Sequence, residues 1–201
     1  MPNNNNYNLV AENPQSTVVA EYYKLADRVR EGVSYQSEAD LERAFIKQLE
    51  TQAYEYLPIT SEADLVMNLR KQLEKLNDFT FTDTEWERFF TSELANPNQS
   101  IAEKTATIQE DHIKNLTRED GTTKNVYLIK KENIHDNSLQ VINQYATEDG
   151  QRANRYDVTV LVNGLPLVHI ELKRRGVAIA EAFNQINRYS RESFWAASGL
   201  F

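Results

Sequence analysis

The sequence predicts an α+β domain in which helices come first and a hairpin-bearing sheet comes late. Three observations carry this reading. Ser or Thr stands three residues before Asp or Glu ahead of several apolar stripes at helical spacing. After Gly121 the pattern changes to short runs rich in Val, Ile, Leu and Tyr, broken at Asp149-Gly150 and Asn163-Gly164. A last amphipathic stretch follows Gly176. Helices followed by strands, rather than a regular alternation, separate this order from a parallel βαβ fold.

In chain order, residues 1–33 lack a sustained period and read as an N-terminal arm with a short helix near Glu21–Arg30. Ser37 with Asp40 opens the first firm helix, whose Leu41, Ala44, Phe45 and Leu49 form one stripe through about Glu50. Ser61 with Asp64 precedes Val66, Leu69, Leu73 and Leu76, and Thr84 with Glu87 accompanies Trp86, Phe89, Phe90 and Leu94. Asn96-Pro97 interrupts the chain, because the residue before proline resists helical geometry. Ser100 with Glu103 opens a helix carrying Ile101, Ile108, Ile113 and Leu116. Residues 61–118 thus read as a helical insertion within a domain running from 34 to 201. Asn125–Lys130 and Leu139–Tyr145 read as strands, and Tyr156–Val162 and Leu165–Lys173 as a hairpin turning at Asn163-Gly164. Pro166 donates no ladder hydrogen bond, which places it at an edge or beside a bulge. A helix from Gly176 to about Phe194 presents Phe183, Ile186 and Tyr189 on one face.

Composition narrows the function classes. The chain has 201 residues, 40% hydrophobic, enough for one domain with a buried core. No apolar run approaches the length of a membrane span, and the polar Asn3–Asn6 start lacks a secretory pattern, so a cytoplasmic protein without membrane partners is expected. The absence of cysteine excludes disulfides, zinc-thiolate sites, iron–sulfur clusters and a thiol nucleophile. Neither a phosphate-loop motif nor a dinucleotide fingerprint is present. Net charge is −8, but residues 151–201 carry 7 basic and 4 acidic groups, so the C-terminal quarter is the part suited to a phosphate backbone.

Chemistry concentrates between Arg155 and Lys173. Asp157, Glu171 and Lys173 sit inside otherwise apolar strands, where charge costs desolvation unless something compensates. Glu171 and Lys173, two apart, share a strand face, and the hairpin returns the chain toward Asp157. Convergent carboxylates repel unless a divalent cation lies between them, and hard oxygen donors suit Mg²⁺ or Mn²⁺. With a lysine beside them they suit metal-assisted phosphodiester hydrolysis. Glu-x-Lys alone reads better as an ion pair; Asp157 and the basic flank Arg174-Arg175 tip the balance toward a nuclease.

The run Asn-Arg-Tyr-Asp-Val-Thr-Val-Leu-Val-Asn-Gly-Leu-Pro-Leu-Val-His-Ile-Glu-Leu-Lys, from Asn154 to Lys173, resembles the nuclease domain of the type I restriction enzyme R (motor) subunit. Residues Glu181–Ser190 and Ser34–Arg43 fit the same family. The resemblance implies a PD-(D/E)xK restriction-endonuclease-like core, a mixed sheet flanked by helices. It implies Asp157 and Glu171 as metal-binding carboxylates, Lys173 as the catalytic lysine, and Gln185 and Tyr189 as a Gln-x-x-x-Tyr pair holding the lysine and the substrate backbone. Glu42 matches the acidic residue of the superfamily's first helix, with Glu38 one turn earlier as its substitute. Arg174, Arg175, Arg188 and Arg191 are the expected phosphate contacts; His169 fills a strand face. The implied activity is Mg²⁺- or Mn²⁺-dependent cleavage of unmodified duplex DNA by a type I restriction enzyme. In the intact subunit it follows ATP-driven translocation, with methylation and specificity subunits as partners. ATP enters through motor domains that this chain lacks, and the family's proteins are far longer, so the chain reads as an N-terminal fragment cut short of a further strand. Two other readings remain: a nuclease of a repair or junction-resolving pathway, and a catalytically silent module that docks DNA or a partner subunit.

One constraint on register follows from the chemistry. A strict two-residue turn pairs Val162 with Leu165 and therefore Tyr156 with Glu171, which sends Asp157 and Glu171 to opposite faces. A joint site requires a three-residue loop over Val162–Gly164 or a bulge near Pro166.

Overall fold

A computed structural model of the protein describes residues 7–12, 18–22, 37–147, 154–173 and 184–185. Helices and mixed sheets make it an α+β protein. Near the N-terminus, β1 (Tyr7–Glu12) and β2 (Val18–Tyr22) form an antiparallel hairpin. The arm thus contains strand where the sequence suggested none. Glu21 and Tyr22 lie in β2, and the rest of the expected short helix falls outside the described residues.

Helix α1 (Glu38–Thr51) starts where the capping signature places it, with the Ser37 hydroxyl accepting from the Asp40 N–H at 3.1 Å. A short β3 (Glu55–Tyr56) leads to α2 (Glu62–Asn77), capped in the same way by Ser61. The next cap differs from the expected one. Thr82, not Thr84, caps α3 (Asp83–Phe89), and its reciprocal partner is Glu85. Both threonines have an acid three residues on; Glu85 prevails because its carboxylate also meets Arg118 and the Glu119 N–H. A π-helical turn over Phe90–Leu94 continues α3, and α4 (Ile101–Glu110) opens with the Ser100–Glu103 capping box.

The helical stretch ends earlier than its apolar spacing suggested. Ile113 and Leu116 lie in β4 (Ile113–Thr117), which pairs with β5 (Thr123–Tyr127) across a turn with Gly121 at φ 82°. A three-residue separation fits a helix face or a strand alike, and here strand pairing decides. A four-stranded sheet has the order β3-β6-β7-β8, with β6 (Leu139–Thr147), β7 (Asn154–Val162) and β8 (Leu165–Ile170). β3 runs parallel to β6 and the other pairs are antiparallel. The expected turn at Asp149-Gly150 lies outside the described residues.

Alternate residues of this sheet bury against different helices. Val141, Val158 and Val160 pack with Ile46 and Leu49 of α1, while Ile142 and Leu161 pack with Leu65 of α2. The two helices therefore cover opposite faces. A third cluster joins Leu69 and Leu73 of α2 to Phe81, Trp86, Phe89, Leu116, Val126 and Leu165, which ties the helical lobe to the β4–β5 hairpin and to the start of β8.

Candidate active site

The β7–β8 turn is a two-residue one, with Asn163 at φ 52°, Gly164 at φ 82° and Val162 paired with Leu165. Two successive left-handed residues match the right-handed twist of the strands, and Asn-Gly supplies them at low steric cost. The register then changes. Leu161 pairs with Pro166 but Val160 pairs with Val168, which leaves Leu167 as an extra residue on β8. Beyond it Thr159 meets His169 and Val158 meets Ile170, so the next level sets Asp157 across from Glu171. The bulge beside Pro166 is the device that a joint site required; the three-residue loop offered as its alternative does not form.

Asp157 and Glu171 are held together by their surroundings. The Leu172 N–H donates to Asp157 Oδ2 at 2.9 Å, so the segment bearing Glu171 also fixes Asp157. The Glu171 side chain is only 3% exposed, and Lys173 Nζ lies 2.5 Å from its Oε1. Burial pushes the Glu171 carboxyl above its ordinary pKa; Lys173 pulls it back, and the charge of Asp157 with a carboxyl–carboxyl hydrogen bond pushes it up again. Burial opposes the charge of Lys173, yet its hydrogen bond to Glu171 and the negative charges of Glu171, Asp157 and Glu38 raise its pKa. On the strand just before Glu171, His169 Nδ1 lies 3.0 Å from Thr159 Oγ1 and its ring stacks on Tyr156 at 4.4 Å.

Glu42 occupies a different setting. It is 8% exposed on α1, Oε1 accepts from the Asn143 amide at 2.5 Å, and Oε2 accepts from the Gln144 amide. Both oxygens are thus engaged by β6, and among the described residues no group of three or more His, Asp or Glu side chains gathers at one point. Gln185 is helical and half-buried. Tyr189, Arg174, Arg175, Arg188 and Arg191 lie outside the described residues. Sequence reasoning did not find the Leu172 N–H, whose role is set by backbone geometry. It also passed over Asn143-Gln144, although two amides inside the run Val141–Ala146 are a visible signal.

Two opposed carboxylates with an ammonium group against one of them form a compact hard-oxygen donor set with a cation at its side. A family model described as "Type I restriction enzyme R protein N terminus" matches residues 35–201. The chain belongs to this family. It is 50% identical over 169 residues to the type I restriction enzyme EcoprrI endonuclease subunit of Escherichia coli, an alignment covering 84% of this chain and 54% of that protein. It is 42% identical over 174 residues to the SsaAORF53P endonuclease subunit of Staphylococcus saprophyticus, and 39% identical to the SauMSSORF170P endonuclease subunit of Staphylococcus aureus. These alignments cover 83% and 84% of this chain, and 18% of each relative. The chain therefore spans about half the length of the first relative and under a fifth of the other two. As a type I restriction enzyme R protein N-terminal region, it carries Asp157, Glu171 and Lys173 inside the matched segment. Among the described residues no helix is long and apolar enough to cross a membrane.

Proposed function

We propose that this chain is the Mg²⁺-dependent endonuclease part of a type I restriction R subunit, with a PD-(D/E)xK core that hydrolyses phosphodiester bonds of unmodified duplex DNA. The observation that carries the reading is the register of β7 and β8, whose bulge sets Asp157 opposite Glu171 with Lys173 Nζ 2.5 Å from the latter. The donor set fits a hard cation. Two carboxylates pressed together, one of them with its pKa raised by burial and by the other's charge, gain most from a divalent ion that relieves their repulsion. Such an ion needs only one or two protein carboxylates and keeps several waters. Asp157 and Glu171 would hold Mg²⁺ or Mn²⁺, which supplies polarisation of the phosphoryl oxygen and a more acidic water.

The protein's own groups do the rest. The Leu172 N–H keeps Asp157 turned toward Glu171. Lys173 offsets negative charge that builds on the phosphate as the bond to the leaving oxygen lengthens. Gln185 and Tyr189 orient the lysine and the strand, and Arg174, Arg175, Arg188 and Arg191 contact phosphates. In the intact subunit, cleavage follows ATP-driven translocation by motor domains, with methylation and specificity subunits as partners, in the cytoplasm.

The test is cleavage of unmodified plasmid by the full-length R protein assembled with its partner subunits. Asp157→Ala and Lys173→Ala are expected to abolish cutting, by at least about 100-fold, while ATP hydrolysis stays at the wild-type rate. Continued cutting by either variant would remove the assigned site.

A further inference from the structure

Lys173 answers to more than one carboxylate. Its Nζ lies 2.5 Å from Oε1 of the buried Glu171 side chain, so little water screens the contact. Asp157 adds a second negative charge beside it and Glu38 a third. Glu38 comes from the first turn of α1, and that helix is tied to the lysine's segment. Ile170 and Leu172, on either side of Glu171, pack against the cluster that Ile46 and Leu49 of α1 build with Val141, Val158 and Val160. Glu42, one turn further along α1, has both oxygens engaged by Asn143 and Gln144. Of these two acids it is therefore Glu38 that acts on the lysine, from an exposed position where receiving an ammonium costs little desolvation.

This arrangement sets the ammonium against a divalent ion. Mg²⁺ sits about 2.1 Å from its oxygen ligands. An ion on Glu171 Oε1 would thus stand within about 5 Å of an ammonium held on the same oxygen, and burial leaves their repulsion strong. We infer that Lys173 is the resident counter-cation of the carboxylate pair: it competes with the divalent ion for Glu171, and Glu38 is the positioning residue that receives the ammonium when the ion binds. Metal entry releases the lysine from Glu171, and only then does it meet a phosphate. The inference rests on the function proposed above.

The test is Mn²⁺ binding to the 201-residue chain by titration calorimetry at pH 8, with a thermal melt of each variant. Lys173→Met keeps an unbranched stem without the charge, and Lys173→Gln is its polar counterpart. Each is expected to bind Mn²⁺ about 10-fold tighter than wild type. Lys173→Arg keeps the charge and is expected to stay within about 3-fold of wild type. Glu38→Gln is expected to weaken binding about 3-fold in the wild type and to change nothing in Lys173→Met, because its effect passes through the ammonium. If one neutral variant melts early, the other decides; should both unfold, wild-type affinity in Glu38→Gln overturns the inference. Wild-type or weaker affinity in a folded neutral variant, or an equal loss from Glu38→Gln in both backgrounds, also overturns it. Asp157→Ala separates the two claims. If it binds Mn²⁺ like wild type, the proposed cation site falls and this inference falls with it; if it binds weakly while Lys173→Met gains nothing, this inference alone falls.

Discussion

Glu85 lies in the first turn of α3 with its side chain buried and three donors around it: the Thr82 N–H at 3.0 Å, Arg118 Nε at 2.7 Å and the Glu119 N–H at 3.1 Å. Burial pushes its pKa up, but these donors win and hold the carboxyl below its ordinary value of 4.5. A depressed carboxyl pKa adds stability at pH above the unfolded value, and that contribution is lost as pH falls through the folded one. Glu85→Gln should therefore cost about 2 kcal/mol at pH 7, measured by urea unfolding, and should flatten the acid limb below about pH 4.5. Gly164 sets a second limit. At φ 82° a side chain is strained, and a Cβ there would lie 2.6 Å from the Leu69 Cα. Gly164→Ala should lose about 3 kcal/mol in the same assay. Asn163 beside it is tied to Leu128, Asn137 and Ser138, so the turn is anchored as well as tight.

At the scale of elements, the β7–β8 hairpin decides whether a site exists. Leu167 is the extra residue, so deleting it should leave Asp157 opposite Glu171 and keep Mn²⁺ affinity within a few-fold of wild type. Inserting one alanine between Val168 and His169 should move Glu171 out of register with Asp157 and weaken Mn²⁺ binding by at least about 10-fold. Unchanged affinity in the insertion variant would show that register does not build the site. This hairpin was legible before the structure because Asn163-Gly164 names its turn and the chemistry fixes its register. The helix starts at Ser37, Ser61 and Ser100 were legible for a local reason, since a cap and its acid lie within one turn. β4 was not, because Ile113 and Leu116 satisfy helical spacing equally well. Nor was β3, a two-residue strand that exists through its pairing with β6.

Across the whole molecule, helices α1 and α2 clamp opposite faces of one sheet, and the candidate site lies at the β7–β8 end of it. Asp157, Glu171 and Lys173 were readable from sequence as charges in apolar runs. β8 ends at Ile170, so of the three only Asp157 lies inside a strand, and Glu171 and Lys173 follow the strand that the sequence extended to Lys173. The left-handed Gln144 was not, since its side-chain partner Glu42 lies about a hundred residues earlier in the chain. The proposed activity stands on two carboxylates sharing one cation. Titration of Mn²⁺ into the 201-residue chain, beside Asp157→Ala and Glu171→Ala, measures that directly. One saturable site in the wild type, weakened at least about 10-fold in each variant with melting temperatures preserved, is the expected result. Equal binding by all three proteins would contradict it.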